Sequence, residues 1–516
     1  MWPRLKASDS AHVTPDRLTK PPTGGVRLVR NSIFNLIGQA VPLLAAFVAI
    51  PLLIRGLGTD RFGVLTLAWM VIGYFSLFDL GLGRALTQVV AEKLTDRQDT
   101  QAPPVVWTAI VMMFVLGLLG TLVVSLISPW LVHSGLKIPG LLQVETLHSF
   151  YLLAAAIPIV VVTAGLVGIL SAFQRFGMIN AIRVPMGIFS FLAPLTILPF
   201  SQSLAFVTAV LVLGRLLACG AYVLACRPLM PPLRSGLALH YVDLKPLLHF
   251  GAWMTVTNVI GPLMVYLDRF VIGAIVSVAA VAYYATPYEL VTKLLIVPGA
   301  ILAVLFPAFA ASHRQDHSRM VRIFARGTKY IALILFPVIL LITAFAHEGL
   351  QWWLGDEFAR YSTPVLQCLA IGVFINGLAQ VFATLIQGIG RPDLSAKLHS
   401  LELPLYLLVL WWAIQNHGIV GAAMAWTGRV ALDGVLLFWL SSRFLGDNAV
   451  LLKRMTAGLL VALGGVAIPL LVADIAHRAA IVLLILILFV PIAWFVVLAG
   501  DERASIKGRL GWAGGQ

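Results

Sequence analysis

"NSIFNLIGQAVPLLAAFVAIPLLIRGLGTDRFGVLTLAW", residues 31–69, decides what kind of fold this chain adopts. From 31 to about 56 the chain is mostly apolar, a short polar turn follows, and a second apolar run opens near 62. A helix needs about 20 apolar residues to cross a bilayer core of about 30 Å. The first run is long enough, and the pattern recurs down the chain. Fourteen runs lie near 31–56, 62–91, 105–132, 147–172, 177–200, 203–226, 247–276, 279–310, 327–346, 362–388, 394–416, 418–442, 455–474 and 479–500. The 516 residues are 60% hydrophobic and 11% charged, with a mean hydropathy of +0.94. Soluble proteins carry roughly 25% charged residues, and no water-soluble core could hide this much apolar chain. The expected fold class is therefore an all-α polytopic membrane protein of twelve to fourteen spans, with about fourteen transmembrane helices counted.

Lysine and arginine set the expected orientation. With the N-terminus inside, the inner tails and loops collect about 25 of them and the outer loops about five, a strong positive-inside bias. Arg314, Arg319, Arg322, Arg326 and Lys329 crowd one inner loop, whereas Arg55, Arg61, Lys137, Arg360 and Arg478 are the outer set. Trp352, Trp353, Trp411 and Trp412 then fall near the outer face, where aromatic belts sit. Both termini are expected in the cytoplasm. The net charge of +14 is read as this topology signal, not as nucleic-acid binding. Residues 1–30 are polar and basic without a cleavable apolar core, so they read as a disordered tail and the first span as an uncleaved anchor. Cys219, Cys226 and Cys368 lie in apolar runs without metal-ligand spacing and read as inert packing. Nothing in the sequence calls for a metal or a cofactor. The longest connections, about Arg227–Lys245 inside and Ala346–Tyr361 outside, are too short to fold alone.

The two halves echo each other. "LLIRGLGTDRFGVLTLAW" (52–69) and "VIGAIVSVAAVAYYATPY" (271–288) register at an offset of about 219, which places Gln39 opposite Asn258. "LSAFQRFGMINA" (170–181) and "LIQGIGRPDLSA" (385–396) align at an offset of about 216. An even number of spans separates the paired segments, so the repeat is parallel. Two six-helix lobes related about the membrane normal, with substrate between them, form a known transporter plan.

At this point the sequence resembles a family. The first run above, "FDLGLGRALTQVVAEK" (78–93), "YLDRFVIGAIVSVAAVAYYATPYEL" (266–290) and "WWLGDEFARYSTPVLQCLAIG" (352–372) carry the likeness across roughly 31–445. They are similar to the polysaccharide biosynthesis proteins, the lipid-linked oligosaccharide (O-antigen type) flippases of the multidrug/oligosaccharidyl-lipid/polysaccharide superfamily. The resemblance implies a V-shaped pair of six-helix bundles whose central cavity takes an undecaprenyl-diphosphate-linked glycan at the cytoplasmic face and releases it outside. It further implies membrane lipid, and the polymerase or glycosyltransferases of the same pathway, as partners. The expected organisation is a tail at 1–30, lobes at 31–226 and 247–445, a linker at 227–246, two additional spans in 446–500 and a cytoplasmic tail at 501–516.

Charged residues inside the spans are the candidate site. A charge at a helix centre costs about 2.5–3.5 kcal/mol on insertion scales, so each needs a partner or a use. The set is Asp79 and Arg84 in the second span, Arg183, Arg215, Asp268 and Arg269, Glu289 and Lys293, and Arg429 and Asp433. Glu289/Lys293 and Arg429/Asp433 are i,i+4 neighbours and are expected to pair within their own helices. Arg183 and Arg269 read as snorkelling to an interface. Basic groups outnumber acidic ones, as a diphosphate path requires. The substrate-binding candidates are Arg84, Arg215, Lys293, Arg429, Asn35, Gln39, Asn258, Asn376 and Gln380. Asn31, Asn35 and Gln39 share one helix face, and interhelical amide bonding is the equal alternative for these amides. Asp79, Asp268, Glu289 and Asp433 are the ion-coupling candidates. Gly81, Gly83 and the mid-span prolines Pro42, Pro51, Pro262, Pro298 and Pro307 suit helices that bend as lobes rock, or static kinks. A drug/cation antiporter would place a carboxylate on the first span, which here carries amides. A polyprenyl-dependent glycosyltransferase or polymerase would need more outer chain than the cluster Glu348, Asp356 and Glu357 supplies.

Overall fold

The computed structural model describes residues 25–74, 82–83, 86–87, 90, 102–229, 264–312, 316–446 and 449–509, and every regular element among them is helical. The first half holds α1 (Gly25–Leu57), α2 (Thr59–Tyr74), α3 (Ala102–Trp130), α4 (Gly140–Ala172), α5 (Phe176–Ile197) and α6 (Leu204–Cys226). The second holds α7 (264–275), α8 (Val278–Thr292), α9 (Ile296–Ser312), α10 (His317–Ala344), α11 (Ala346–Leu354), α12 (Asp356–Gly388) and α13 (Pro392–Ser442). Then follow α14 (Ala449–Ala467), α15 (Ile475–Pro491) and α16 (Gly500–Arg509).

Ten helical segments are long and apolar enough to span a membrane among the described residues. The expected fourteen differ in identifiable places. The runs at 62–91 and 247–276 fall partly outside the described residues, the run at 31–56 lies in α1 with side chains described only from 41 on, and 394–416 and 418–442 are joined in α13. Within α13 the chain turns at Gly418, whose φ of +56° and ψ of −137° suit glycine alone. The limbs before and after it fold back as a hairpin, so that Leu394, Leu398 and Leu401 face Leu436, Trp439 and Leu440.

The repeat is visible in the helix ends. α4 runs from 140 to 172 and α12 from 356 to 388, so both ends are displaced by 216 residues. Within the first half α4 packs against α3 and α6, and α5 against α1; within the second α12 packs against α8, α9, α10, α11 and α13. The halves meet chiefly through α2 and α8, which correspond in the repeat and so would lie beside its axis. Their backbones approach so closely that a Cβ on Gly63 would sit 1.9 Å from the Val278 carbonyl oxygen. The turn after α3 adds a second tie, with the Lys137 N–H donating to the Gly273 carbonyl at 2.9 Å.

The region read as an outer loop at Ala346–Tyr361 is instead helical. α11 is a short amphipathic helix, Gly355 turns the chain at φ +92°, and α12 begins at once. The acidic cluster expected there is dispersed: Glu348 binds Arg478 at 2.9 Å, Asp356 accepts from Gln351 at 2.7 Å, and Glu357 accepts from the Tyr283 hydroxyl.

α14 and α15 pack on α10, Phe336 meeting Phe489 with ring centroids 5.1 Å apart. The final segment, expected as a tail from 501, opens with α16. There Asp501 and Glu502 pair with Arg326 and Lys329, and Tyr330 donates to Glu502 at 2.7 Å. Burial opposes the Glu502 charge, but hydrogen bonds from Lys329, Tyr330 and the Ala499 N–H outweigh it and hold the carboxyl at about 2.

Candidate functional site

A cavity of about 770 Å³ opens where the two halves meet. The first half supplies Leu43, Phe47 and Ile50 of α1, Phe62, Thr66, Trp69 and Met70 of α2, and Phe191 of α5. The second half supplies Tyr266, Thr286, Glu289, Lys293 and Trp353. Aromatic pairs hold the wall. Trp69 meets Phe62 and Phe191 edge-on with centroids 6.0 and 5.2 Å apart, and Trp353 stacks on Phe47 at 4.8 Å. The Trp353 indole also donates to the Phe47 carbonyl at 2.8 Å, tying α11 to α1 across the halves. Such rings offer flat apolar faces to sugar rings and broad contact to a lipid chain.

Glu289 and Lys293 are the charged wall residues among those described, and they end a buried chain of charge. Asp268, fully enclosed, accepts from the Tyr284 hydroxyl at 2.5 Å and from the Arg269 N–H at 2.8 Å. Arg269, also fully enclosed, reaches the Val265 carbonyl at 3.0 Å and Glu289 at 3.3 Å, with its guanidinium 4.2 Å from the Tyr288 ring centre. Glu289 and Lys293 pair at 3.1 Å with both side chains nearly half exposed. The order Asp268, Arg269, Glu289, Lys293 alternates in sign and is neutral overall, which is how four charges are tolerated beside lipid. Of the two cations only Lys293 lines the cavity, Arg269 being enclosed behind it.

The structure separates the sequence candidates. Lys293 and Glu289 line the cavity, and their expected i,i+4 pair forms between the end of α8 and the 3-10 turn that Lys293 opens. Asp268 lies behind the wall. Arg269, expected to snorkel, is instead a fully buried link, because two carboxylates and two aromatic faces repay its burial. Arg429 and Asp433, expected to pair with each other, face across the α13 hairpin. Arg429 lies 3.9 Å from Glu402 and Asp433 lies 3.3 Å from His399. Arg215, Asn376 and Gln380 are half-buried and not on the cavity wall. Asp79, Arg84 and Asn258 lie outside the described residues, as do the side chains of Asn35 and Gln39. Sequence reasoning passed over the aromatic wall and Trp353, which it read only as a belt residue. It also passed over His399 and Glu402, whose i,i+3 spacing was the available signal.

Paired helical halves around a shared cavity define a multi-pass membrane transporter. The chain matches the family model described as polysaccharide biosynthesis protein over residues 52–363, and it belongs to that family. It is 32% identical over 416 residues to a putative O-antigen transporter of Shigella flexneri, covering 81% of this chain and 98% of that one. It is 25% identical over 212 residues to the lipopolysaccharide biosynthesis protein WzxC of Escherichia coli, covering 40% and 42% respectively. In fold it is similar to a solved inward-facing multidrug resistance MATE family transporter of the MOP superfamily, with a TM-score of 0.66 at 15% identity over 81% of this chain and 95% of the other.

Proposed function

We propose that this chain is a flippase, not an enzyme, that carries a polyprenyl-diphosphate-linked oligosaccharide from the inner to the outer leaflet of the bacterial cytoplasmic membrane by alternating access. The observation that carries the reading is the wall of the shared cavity: aromatic faces on both sides and one ammonium, Lys293, presented at the end of a neutralised charge chain. Rings suit sugars and lipid, and the ammonium suits a diphosphate. The 32% identity across 98% of a protein named a putative O-antigen transporter supports the same reading. Both termini are taken as cytoplasmic because lysine and arginine concentrate on that side. An interior-negative potential then favours outward movement of the anion by about 2.3 kcal/mol per charge per 100 mV. Arg84, Asn258, Asn35 and Gln39, whose side chains lie outside the described residues, remain candidates for the rest of the path. A cation antiporter is less well served, since the wall carboxylate Glu289 already faces Arg269 and Lys293. Disrupting the gene should leave lipid-linked glycan trapped on the inner leaflet. An unchanged leaflet distribution would count against flipping.

A further inference from the structure

The α13 hairpin holds a second cluster away from the cavity. His399 and Glu402 sit one turn apart on the limb before Gly418, and Asp433 faces them from the limb after it. One ligand atom from each lies within 4.8 Å of the other two. Glu402 is 4% exposed and Asp433 9%, yet both Glu402 oxygens lack a hydrogen-bond donor among the described residues, and Asp433 Oδ1 faces the His399 Nε2 at 3.3 Å. The charged neighbour across the hairpin is Arg429, whose Nη1 stands 3.9 Å from Glu402, beyond hydrogen-bond reach. With neutral imidazole the four groups carry one net negative charge in a nearly closed space. Buried carboxylate oxygens without donors are costly unless a cation joins them.

We propose that His399, Glu402 and Asp433 bind a divalent first-row transition-metal cation of the Zn²⁺ or Mn²⁺ kind, which staples the two limbs of α13. One imidazole nitrogen with two carboxylates is a ligand set that such ions favour, whereas magnesium and calcium prefer oxygen alone. Bonds of about 2.0–2.2 Å would draw the three ligand atoms inward from their present spacing, a movement that side-chain rotation can supply. The His399 side chain is 38% exposed, which leaves an approach for the ion. Arg429, beside Tyr406 at 5.4 Å, acts as the charge that keeps the second carboxylate compatible with one divalent ion instead of two. The proposal is independent of what the central cavity carries.

The test uses tag-free, full-length protein in detergent, stripped with chelator and titrated with Zn²⁺ and separately with Mn²⁺, reading bound metal per chain and melting temperature. About one ion per chain is expected, with a rise in melting temperature that chelator reverses. Glu402→Gln and His399→Ala should each weaken binding by more than the ~10–100-fold that loss of an outer-shell partner costs. His417→Ala, outside the cluster, should bind as the parent does. His399 is partly exposed, so His399→Ala gives a reading even if Glu402→Gln does not fold. Absence of stoichiometric binding, or binding that survives His399→Ala, would overturn the site.

Discussion

Among the described residues, the first half of the molecule presents rings and no charge to the cavity, whereas the second adds Glu289 and Lys293 to its own rings, Tyr266 and Trp353. Among the described residues, the buried charged side chains are Asp268, Arg269, Glu402 and Asp433 of the second half and Glu502 of α16. On the first-half wall, Phe47, Phe62, Trp69 and Phe191 dominate, with Thr66 the polar exception. α4 and α12 keep the same length and offset in the two halves, so the difference at the cavity is one of side chains.

The hardest blow to that contrast is Arg269→Ala. It strands Asp268 and Glu289 without their shared cation, and breaking a buried pair costs about 3–5 kcal/mol. The melting temperature of purified protein should fall sharply, and Asp268→Asn/Arg269→Met should recover much of it. An unchanged melting temperature for the single variant would mean that the second half does not depend on its charge chain. Next comes the joint between the halves. Gly63→Val would drive a side chain into the Val278 carbonyl, and overpacking of this kind costs about 1–3 kcal/mol. Cross-linking between α2 and α8 should weaken along with stability; intact cross-linking at full stability would show the joint to be looser than described.

A smaller effect is expected at the aromatic tie. Trp353→Ala removes the stack on Phe47, worth about 0.5–1.5 kcal/mol beyond its buried area. Hydrogen exchange should rise in α11 and in α1 near Phe47 while α12 stays protected; exchange rising evenly throughout would argue against a local tie. The mildest change concerns pH. Glu502 is held at about 2, below its ordinary 4.5, so its ionised form favours docking of α16. That contribution is complete above about 4.5 and is lost as pH falls toward 2. Proteolysis at the end of α15 should increase through that window, and Glu502→Gln should flatten the dependence.

Much of the frame was legible in the sequence because a span is a matter of length and hydropathy, which neighbours barely alter. The offset of 216 seen in short motifs reappears at both ends of α4 and α12 for the same reason. Partners were less legible. Arg429 and Asp433 have the spacing of a helical pair, but the returning limb of α13 offers Glu402 and His399, and nothing in local spacing reveals a hairpin partner. Arg269 looked able to snorkel because its carboxylate and aromatic neighbours come from α8 as well as its own helix. Ala346–Tyr361 reads as loop by polarity, whereas Ala346, Leu350 and Trp353 give α11 a buried face. Glu289 and Lys293 pair as their spacing predicts because the helical path continues through the 3-10 turn that Lys293 opens after α8.

The most direct test of the central claim is leaflet transfer of a polyprenyl-diphosphate-linked oligosaccharide by purified protein in liposomes, comparing the parent with Lys293→Ala and Lys293→Arg. Lys293 is half exposed and its ion pair contributes only about 0–1 kcal/mol, so both variants should fold normally. The account predicts that transfer is lost with alanine and retained with arginine. Transfer by Lys293→Ala at the parental rate would contradict it.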